Sequence, residues 1–442
     1  MYKLLTYFIL ISLICSSCGS DYTLSSPNGE LQITTHIDEN GQLLYSVSFD
    51  GKSYIKPSKL GFEFANAGNM MNGFKIVSSK KETIVQNYEM QWGLNQFISS
   101  KHNQLSLHLE HIESGRLIDV VFRAANDGFA FRYVIPKQKE KELIISNEHS
   151  EFNFSEDPMS YWIPGDWEIY EHLYNKTRTS EINALSKVNH PNLAQTHIVE
   201  NSIATPVTFI FDDGTHMSLH EAALVNYSGM TLKKTGETSF VSSLTGRSDG
   251  NKATIPTPFK TPWRMGIIGK KATDLLSSNL MYDLNEPNEL GDIRDWFTPH
   301  KYIGIWWEMH MGKSTWDYGM TQDMGTWTDS GNAHGQHGAT NKNTKKYIDF
   351  AAKHGFDGVL VEGWNTGWEY WIGFEDREGV FDFVTSYPDY DIEMLQAYAK
   401  SKGVSLVMHH ETSAAPRTYD KQMDKAYALM QSLDIHVVKS GY

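Results

Sequence analysis

Recurring turn dipeptides constrain the first part of the chain. Asn-Gly or Asp-Gly stands at positions 28–29, 40–41, 50–51, 72–73 and 213–214, and both dipeptides supply the positive φ values that tight hairpins need. Segments such as LYSVSF (44–49) and LSLHLEHI (105–112) alternate apolar and polar residues, which is the period of a half-buried strand. Because almost no helical pattern interrupts this region, it predicts a large β-sandwich over residues 21–290.

The pattern changes after about residue 290, where apolar strands alternate with amphipathic helices. The strands predicted here are YIGIWWEM (302–309), FDGVLVEGW (356–364), VSLVMHHE (404–411) and IHVVKSG (435–441). The helices predicted between them cover residues 341–355, 391–403 and 418–434. This alternation indicates a parallel sheet. No glycine-rich phosphate loop follows the first strand, which argues against a dinucleotide-binding fold.

Polar residues end the predicted strands: Glu308, Glu362, the run His409–Glu411, and Lys439. Such residues form the active site of a (β/α)8 TIM barrel, at the carboxyl ends of its strands. A barrel needs about 250 residues, and four strands cannot close one. We therefore expect residues 291–442 to form the first half of a barrel, in a sequence that is truncated or has lost its second half.

The N-terminal segment has the character of a secretory signal. Lys3 precedes an apolar run at positions 4–14, which is too short to span a bilayer. Cys18 follows small residues and predicts a lipoprotein signal over residues 1–18, although Cys15 stands where Leu is usual. The expected mature protein is a lipoprotein, lipidated at Cys18 and located in the cell envelope or periplasm.

Composition narrows the class of ligand. The net charge of −14 argues against nucleic acid as a partner. The chain contains 12 Trp, 22 Tyr and 21 Phe residues, a surplus that is equally consistent with a carbohydrate site and with an aromatic β core.

The HHE run at 409–411 does not match a zinc protease. That motif is H-E-x-x-H on a helix, whereas residue 414 is Ala, and adjacent histidines on a strand point to opposite faces. Glu411 is a candidate for one of the two carboxyl groups of a glycosidase. The alternative is a strand-end carboxylate that caps the next helix or pairs with a cation.

Three other segments contain candidate functional residues, and two of these segments allow two interpretations each. EGWNTGWEYW (362–371) is either a sugar-binding loop around Glu362 or an aromatic loop packed over the mouth of the barrel. Asp166, Glu168 and Glu171 offer oxygen ligands of the kind calcium takes, without the spacing of an EF-hand, or are solvated loop charges. HEAALVNYSGM (220–230) is expected to have a structural role.

Several segments together resemble glycoside hydrolase family 97, which contains the α-glucosidases of bacterial starch-utilisation systems. They extend in order over nearly all of the expected mature chain: YEHLYNKTRTSEI (170–182), ATPVTFIFDDGTHMSLHEAALVNY (204–227), TPWRMGII (261–268), YIGIWWEMHMGKSTW (302–316), VEGWNTGW (361–368) and MHHETS (408–413).

The resemblance implies an N-terminal β-super-sandwich, a catalytic (β/α)8 barrel and a small C-terminal β domain. It also implies calcium-dependent glycosidases that act on chain ends. One branch inverts and cleaves α-glucosides. The other retains configuration, cleaves α-galactosides and uses an Asp nucleophile on the strand after HHET. Residues 437–441 read VVKSG, without a carboxylate, and so resemble the inverting branch.

Carried onto this chain, the resemblance makes Glu411 the general base and Glu171 a calcium ligand. It places Trp307, Glu362, His409 and Lys439 around the sugar. The general acid and the remaining calcium ligands are expected beyond Tyr442. The expected activity is an inverting α-glucosidase acting on malto-oligosaccharides. The alternatives are a retaining α-galactosidase and a non-catalytic carbohydrate-binding remnant, and the oligomeric state stays open.

Overall fold

A computed structural model describes residues 22–167, 169–188, 196–325, 332–371 and 377–441. The predicted signal segment with Cys18 and the candidate ligand Glu168 lie outside these residues. The chain divides into two compact units, Met1–Glu289 and Leu290–Tyr442, which are described separately. Within the described ranges, no helix is both long enough and apolar enough to cross a membrane.

The first unit consists almost entirely of strands. In chain order they are β1 (Tyr22–Ser25), β2 (Leu31–Ile37), β3 (Leu43–Phe49), β4 (Lys52–Phe64), β5 (Gly68–Met70), β6 (Phe74–Glu89), β7 (Phe97–His111), β8 (Leu117–Ala125), β9 (Gly128–Ile135), β10 (Glu142–Phe154), β11 (Met159–Trp162), β12 (Asn175–Arg178), β13 (Ser202–Ala204), β14 (Val207–Ile210), β15 (His216–Ala222), β16 (Met230–Lys234), β17 (Ser239–Leu244), β18 (Ala253–Pro256), β19 (Phe259–Lys260) and β20 (Trp263–Gly269). Two short helices follow, α1 (Ala272–Ser277) and α2 (Leu280–Asp283).

These strands form two ten-stranded antiparallel sheets within the described residues. The main path of the first sheet is β1-β2-β3-β4-β10-β17-β16-β13, and that of the second is β12-β11-β14-β15-β20-β9-β8-β7-β6. Aromatic rings join the two sheets: the Tyr45 and Phe131 centroids lie 4.9 Å apart, and those of Phe62 and Tyr133 lie 4.4 Å apart. The expected β-rich N-terminal domain is therefore confirmed.

The glycines of the predicted turns adopt the left-handed conformation. Between β3 and β4, Asp50 has φ 51° and Gly51 has φ 78°, while Phe49 pairs directly with Lys52. Two central residues with positive φ are what a tight two-residue hairpin requires, because its twist then matches that of the strands. The dipeptide thus sets the strand register locally.

A buried ion cluster lies inside the first unit. Arg264 is fully buried, and its Nε and Nη2 donate to the two oxygens of Glu148 at 2.7 Å each. Its Nη1 donates to Glu221 Oε2 at 2.5 Å, and the Tyr227 hydroxyl donates to Glu148 Oε2 at 2.9 Å. Glu221, within the 220–230 segment, therefore has the structural role expected of that segment.

Replacing Arg264 with Met is expected to destabilise the first unit by about 3–5 kcal/mol, because both carboxylates would remain buried without their cation. Chemical denaturation should show this as a lower unfolding midpoint. The matched control is Lys233→Met, which breaks an ion pair with Glu200 that is about 40% exposed on both sides and should cost about 0–1 kcal/mol. Equal effects of the two changes would contradict the prediction.

The second unit alternates strands and helices. Its elements are β21 (Tyr302–Gly304), α3 (Trp306–His310), α4 (Asn341–His354), β22 (Gly358–Leu360), α5 (Ile392–Ser401), β23 (Ser405–His410), α6 (Pro416–Leu433) and β24 (Val438–Ser440). In the described residues the strands form a four-stranded parallel sheet in the order β21-β22-β23-β24. Long helices α4, α5 and α6 lie where the sequence pattern predicts helices.

The first strand of this unit is shorter than the predicted strand over 302–309. It ends at Gly304, and residues 306–310 are helical, so Glu308 lies on a helix rather than at a strand end. The Glu308 amide donates to Ile305 O, and the Glu308 carbonyl accepts from the Lys313 amide. An apolar run this short has no periodicity that separates a strand from a helix, and for that reason the prediction was wrong here.

Candidate active site

Four of the residues singled out in the sequence come together at the carboxyl end of the parallel sheet. His409 on β23 lies beside Lys439 on β24 in the strand register. Glu362 follows the end of β22 by two residues, and Glu411 follows β23 directly. Because the strands are parallel, their carboxyl ends meet at one edge, and this brings the four side chains close together.

Glu362 is buried and already holds two partners. Lys439 Nζ donates to its Oε1 at 2.9 Å, and Trp316 Nε1 donates to its Oε2 at 3.1 Å. His409 Nε2 lies 3.6 Å from Oε1. These two bonds hold the Glu362 side chain in a fixed position, which suits it to orienting a ligand. Trp316 is a site residue that the sequence analysis missed, because nothing local marks its contact with Glu362.

Glu411 forms fewer hydrogen bonds than Glu362 within the described residues. Its Oε1 accepts the Ser413 amide at 2.8 Å, and its Oε2 lies 3.9 Å from His409 Nε2. Burial raises the pKa of Glu411 to about 7, with a further upward contribution from the charge of Glu362 and opposing ones from the Ser413 amide and Lys439. A carboxyl group with this pKa can exchange a proton near neutrality, as a general base or a general acid.

Strained backbone follows Glu411 directly. Ser413 has φ 51° and Ala414 has φ 57°, a left-handed conformation that non-glycine residues seldom adopt. The turn aims the Ser413 amide at the Glu411 carboxylate. Such strain is found most often where a site needs a fixed geometry.

His409 is a buried imidazole without a hydrogen bond in the described residues. Both of its ring nitrogens are buried and unpaired, and the ring stacks on Trp368 with centroids 5.8 Å apart. Burial lowers the pKa of His409 to about 4, against the raising effect of Glu362, so the ring is neutral at pH 7. An unpaired buried polar group is costly, and a ligand hydroxyl would satisfy it.

His410 faces the other side of the sheet, as alternation along a strand requires. Its Nδ1 lies 3.0 Å from the Tyr419 hydroxyl on α6, and its ring makes an edge contact with Phe383 at 5.4 Å. Burial lowers the pKa of His410 to about 4, helped by its neighbour His409. The two adjacent histidines therefore do not share one site.

The tryptophans of the 362–371 segment pack beneath the site. Trp364 and Trp368 are fully buried, and Trp364 Nε1 donates to the His409 carbonyl at 2.8 Å. Trp368 Nε1 donates to Asn365 Oδ1 at 3.1 Å. These two rings are therefore part of a packed aromatic loop, because neither has a free face on which a sugar could stack.

Trp307 is not brought into this group. It lies on α3, 62% exposed, and its ring meets that of Trp306 at 4.8 Å. Its place beside a sugar stays a prediction of the resemblance.

Glu171, the predicted calcium ligand, lies in the first unit and is exposed. Calcium takes 6–8 oxygen ligands, whereas no three His, Cys, Asp or Glu side chains gather as a metal site in the described ranges. Nearby Asp166 is engaged by His172 Nε2 at 3.0 Å. Glu171 as a calcium ligand therefore stays a prediction of the resemblance, and no chemical step is assigned to the ion.

The second unit is expected to lose stability in acid. His409 and His410 have pKa values of about 4, below the ordinary 6.5, so the unfolded chain binds more protons between these pH values and stability falls as pH falls. Glu411 acts oppositely, because its raised pKa favours the folded state as pH falls from about 7. The two histidines together lower the free energy of unfolding in acid by more than the one carboxyl group raises it. Urea midpoints at pH 7.5 and 5 should differ less in His410→Gln than in the parent or in the exposed control His436→Gln.

Family models match both units. Residues 24–287 match the model described as Glycosyl-hydrolase 97 N-terminal, and residues 306–442 match the model described as Glycoside hydrolase 97. Each match falls within one of the two units, and together they extend over most of the described chain.

Solved structures and curated relatives agree with these matches. A glycoside hydrolase family 97 enzyme from Pseudoalteromonas sp. strain K8, solved in complex with acarbose, is 39% identical with a TM-score of 0.80, covering 95% of this chain and 59% of that one. A variant of that enzyme was solved with panose, with a TM-score of 0.81. A retaining α-galactosidase from Bacteroides thetaiotaomicron is 24% identical over 91% of this chain and 58% of its own length. The chain therefore spans less than two thirds of these relatives, and it belongs to glycoside hydrolase family 97.

Proposed function

We propose that the protein is an inverting α-glucosidase that removes glucose from the ends of malto-oligosaccharides, with Glu411 as its general base. The observation that carries the proposal is the Glu411 carboxyl, whose pKa of about 7 suits proton abstraction from water at neutral pH. Glu362, Lys439 and His409 surround it with fixed polar groups that suit sugar hydroxyls. The parallel sheet would be the first half of a (β/α)8 barrel, and Cys18 would anchor the protein in the cell envelope.

In the proposed step, Glu411 takes a proton from a water molecule while the water oxygen attacks the anomeric carbon. The glycosidic C–O bond breaks, and a general acid gives a proton to the leaving oxygen. Attack on the face opposite the leaving group inverts the configuration. The acid is not assigned among the described residues, and we expect it beyond Tyr442.

The glucose specificity rests on the more similar relatives. The Pseudoalteromonas enzyme is 39% identical and was solved with acarbose and, as a variant, with panose. The relative named as a retaining α-galactosidase is 24% identical. A retaining enzyme of the family needs a nucleophilic carboxylate on the strand after HHET, where this chain has Lys439, Ser440 and Gly441.

Retaining α-galactosidase is the second candidate, supported by the name of a relative that matches 91% of this chain. Proton NMR of sugars released by the full-length gene product separates the two. An inverting α-glucosidase gives β-glucose first from maltotriose. Release of α-galactose from an α-galactoside would establish the second candidate instead. Sugar binding without release from either substrate would leave the carbohydrate-binding alternative.

Calcium dependence is part of the proposal and rests on the resemblance alone. Removing divalent ions from the full-length gene product with EDTA is expected to abolish glucose release, and added calcium, but not magnesium, should restore it. Calcium's larger and more flexible oxygen shell underlies that preference. Undiminished activity in EDTA would remove calcium from the proposed function.

A further inference from the structure

A second cleft lies in the same unit as the candidate active site, beside the first turns of α4. Its volume is about 620 Å³, within the range of about 300–1,000 Å³ that ligand pockets occupy. None of Glu362, His409, Glu411 and Lys439 lines it. Residues that do line it include Ser314, Tyr318, Gln336, Lys342, Lys346 and Asp389.

The walls of this cleft are held by internal hydrogen bonds. His337 lies 2.8 Å from Asp389 Oδ2 through Nδ1 and 2.9 Å from the Gly363 carbonyl through Nε2. Asn343 Nδ2 donates to Glu308 Oε2 at 2.6 Å and to the Gly338 carbonyl at 3.0 Å. Groups fixed in this way lose little further freedom when a ligand binds.

The cleft offers both kinds of hydrogen-bonding partner. Asp389 Oδ1 is buried and has no hydrogen bond within the described residues, so it is an acceptor that lacks a donor. Lys342 and Lys346 are exposed and form no ion pair with described residues. A sugar hydroxyl both donates and accepts, so adjacent hydroxyls could bond to the exposed ammonium groups and to the carboxylates that line the cleft.

An aromatic surface completes the arrangement. Tyr318 is 46% exposed, and its ring stacks on Tyr387 with centroids 5.8 Å apart and 21° between the planes. The ring is therefore held on one side and accessible on the cleft side. Its apolar body can pack against the C–H face of a sugar while its hydroxyl stays hydrated.

We infer that this cleft is a second saccharide-binding site, separate from the strand-end group, which consists of Glu362, His409, Glu411 and Lys439. Two carboxylates, Glu308 and Asp389, line the cleft together with the ammonium groups of Lys313, Lys342 and Lys346. Because both signs of charge are present, a neutral polyhydroxylated ligand fits better than a strongly charged one. The choice of a glucose oligosaccharide as the ligand rests on the proposed function. A second site would hold one part of a long substrate while its end is processed.

Calorimetric titration of the chain with maltotriose tests this inference. Two binding sites are expected, with Tyr318→Ala removing one and Lys439→Met removing the other. Lys342→Ala changes an exposed side chain and should weaken the Tyr318-dependent site several-fold. Thermal unfolding of each variant checks that it remains folded.

The outcomes separate the two sites. Two sites that persist in both Tyr318→Ala and Lys342→Ala would overturn the inference, as would a single site abolished by Lys439→Met alone. A single site abolished by Tyr318→Ala alone would support the cleft and count against the strand-end group. Saturable binding of inorganic phosphate that competes with maltotriose through Lys342 would show an anion site and overturn the saccharide assignment.

Discussion

Glu411→Gln is expected to lower the turnover of the full-length gene product by roughly 10²–10⁴-fold, the usual contribution of one general base. Glutamine has nearly the same shape and can still accept the Ser413 amide, which Glu411 holds at 2.8 Å. It cannot take a proton from water. Binding of maltotriose should therefore change little, because Glu362, Lys439 and His409 remain in place.

The matched control is Glu393→Gln, which removes an exposed carboxylate in the first turn of α5 and should leave turnover unchanged. Glucose release and sugar affinity are measured side by side for the parent and both variants. Unchanged turnover in Glu411→Gln would remove Glu411 as the base. Loss of binding together with turnover would make it a sugar ligand instead.

The pH profile gives an independent check on this residue. A base must be deprotonated, and the pKa of Glu411 is about 7, so the rising limb of kcat/KM against pH should be centred near pH 7. Lys439 lowers that pKa through its positive charge. Lys439→Met should therefore move the rising limb to higher pH. If the rising limb of the kcat/KM profile stayed near pH 7 in this variant, its position would be set by the pKa of a group other than Glu411.

Local chemistry made much of the fold predictable from sequence. Gly355 ends α4 with φ 71°, and the Thr340 hydroxyl caps its start by accepting the Asn343 amide, so the helix has both of its boundary signals. The HHE run marked the tip of β23 because polar residues rarely end a buried strand without a reason. Each of these features depends on a few consecutive residues.

What was missed depends on distant residues. Trp316 reaches Glu362 from 46 positions away, and Arg264 reaches Glu148 from 116 positions away. In both pairs, the residues next to one partner contain no pattern that identifies the other. The burial of Trp364 and Trp368 is likewise a tertiary result, because the same aromatic run would suit an open sugar platform.

Gly441→Ala is expected to reduce turnover nearly as far as loss of the Glu411 carboxylate itself. A methyl group at position 441 would lie 2.5 Å from both Glu411 oxygens, far inside van der Waals contact. The backbone at Gly441 has little freedom to retreat, because its amide donates to the His410 carbonyl at 2.7 Å. The carboxylate would therefore be the group that moves.

Such a displacement should reduce turnover while leaving the fold intact, since Gly441 lies at the end of the sheet and is half-buried. Ser440→Ala is the control: the adjacent side chain is exposed and its loss should leave activity unchanged. If Gly441→Ala retained full activity with an unshifted pH profile, the Glu411 carboxylate would not be held where the base must act. The expected result is a drop in turnover together with a shift of the rising limb of the pH profile. It would show that the absence of a side chain at Gly441 is needed to position the Glu411 carboxylate.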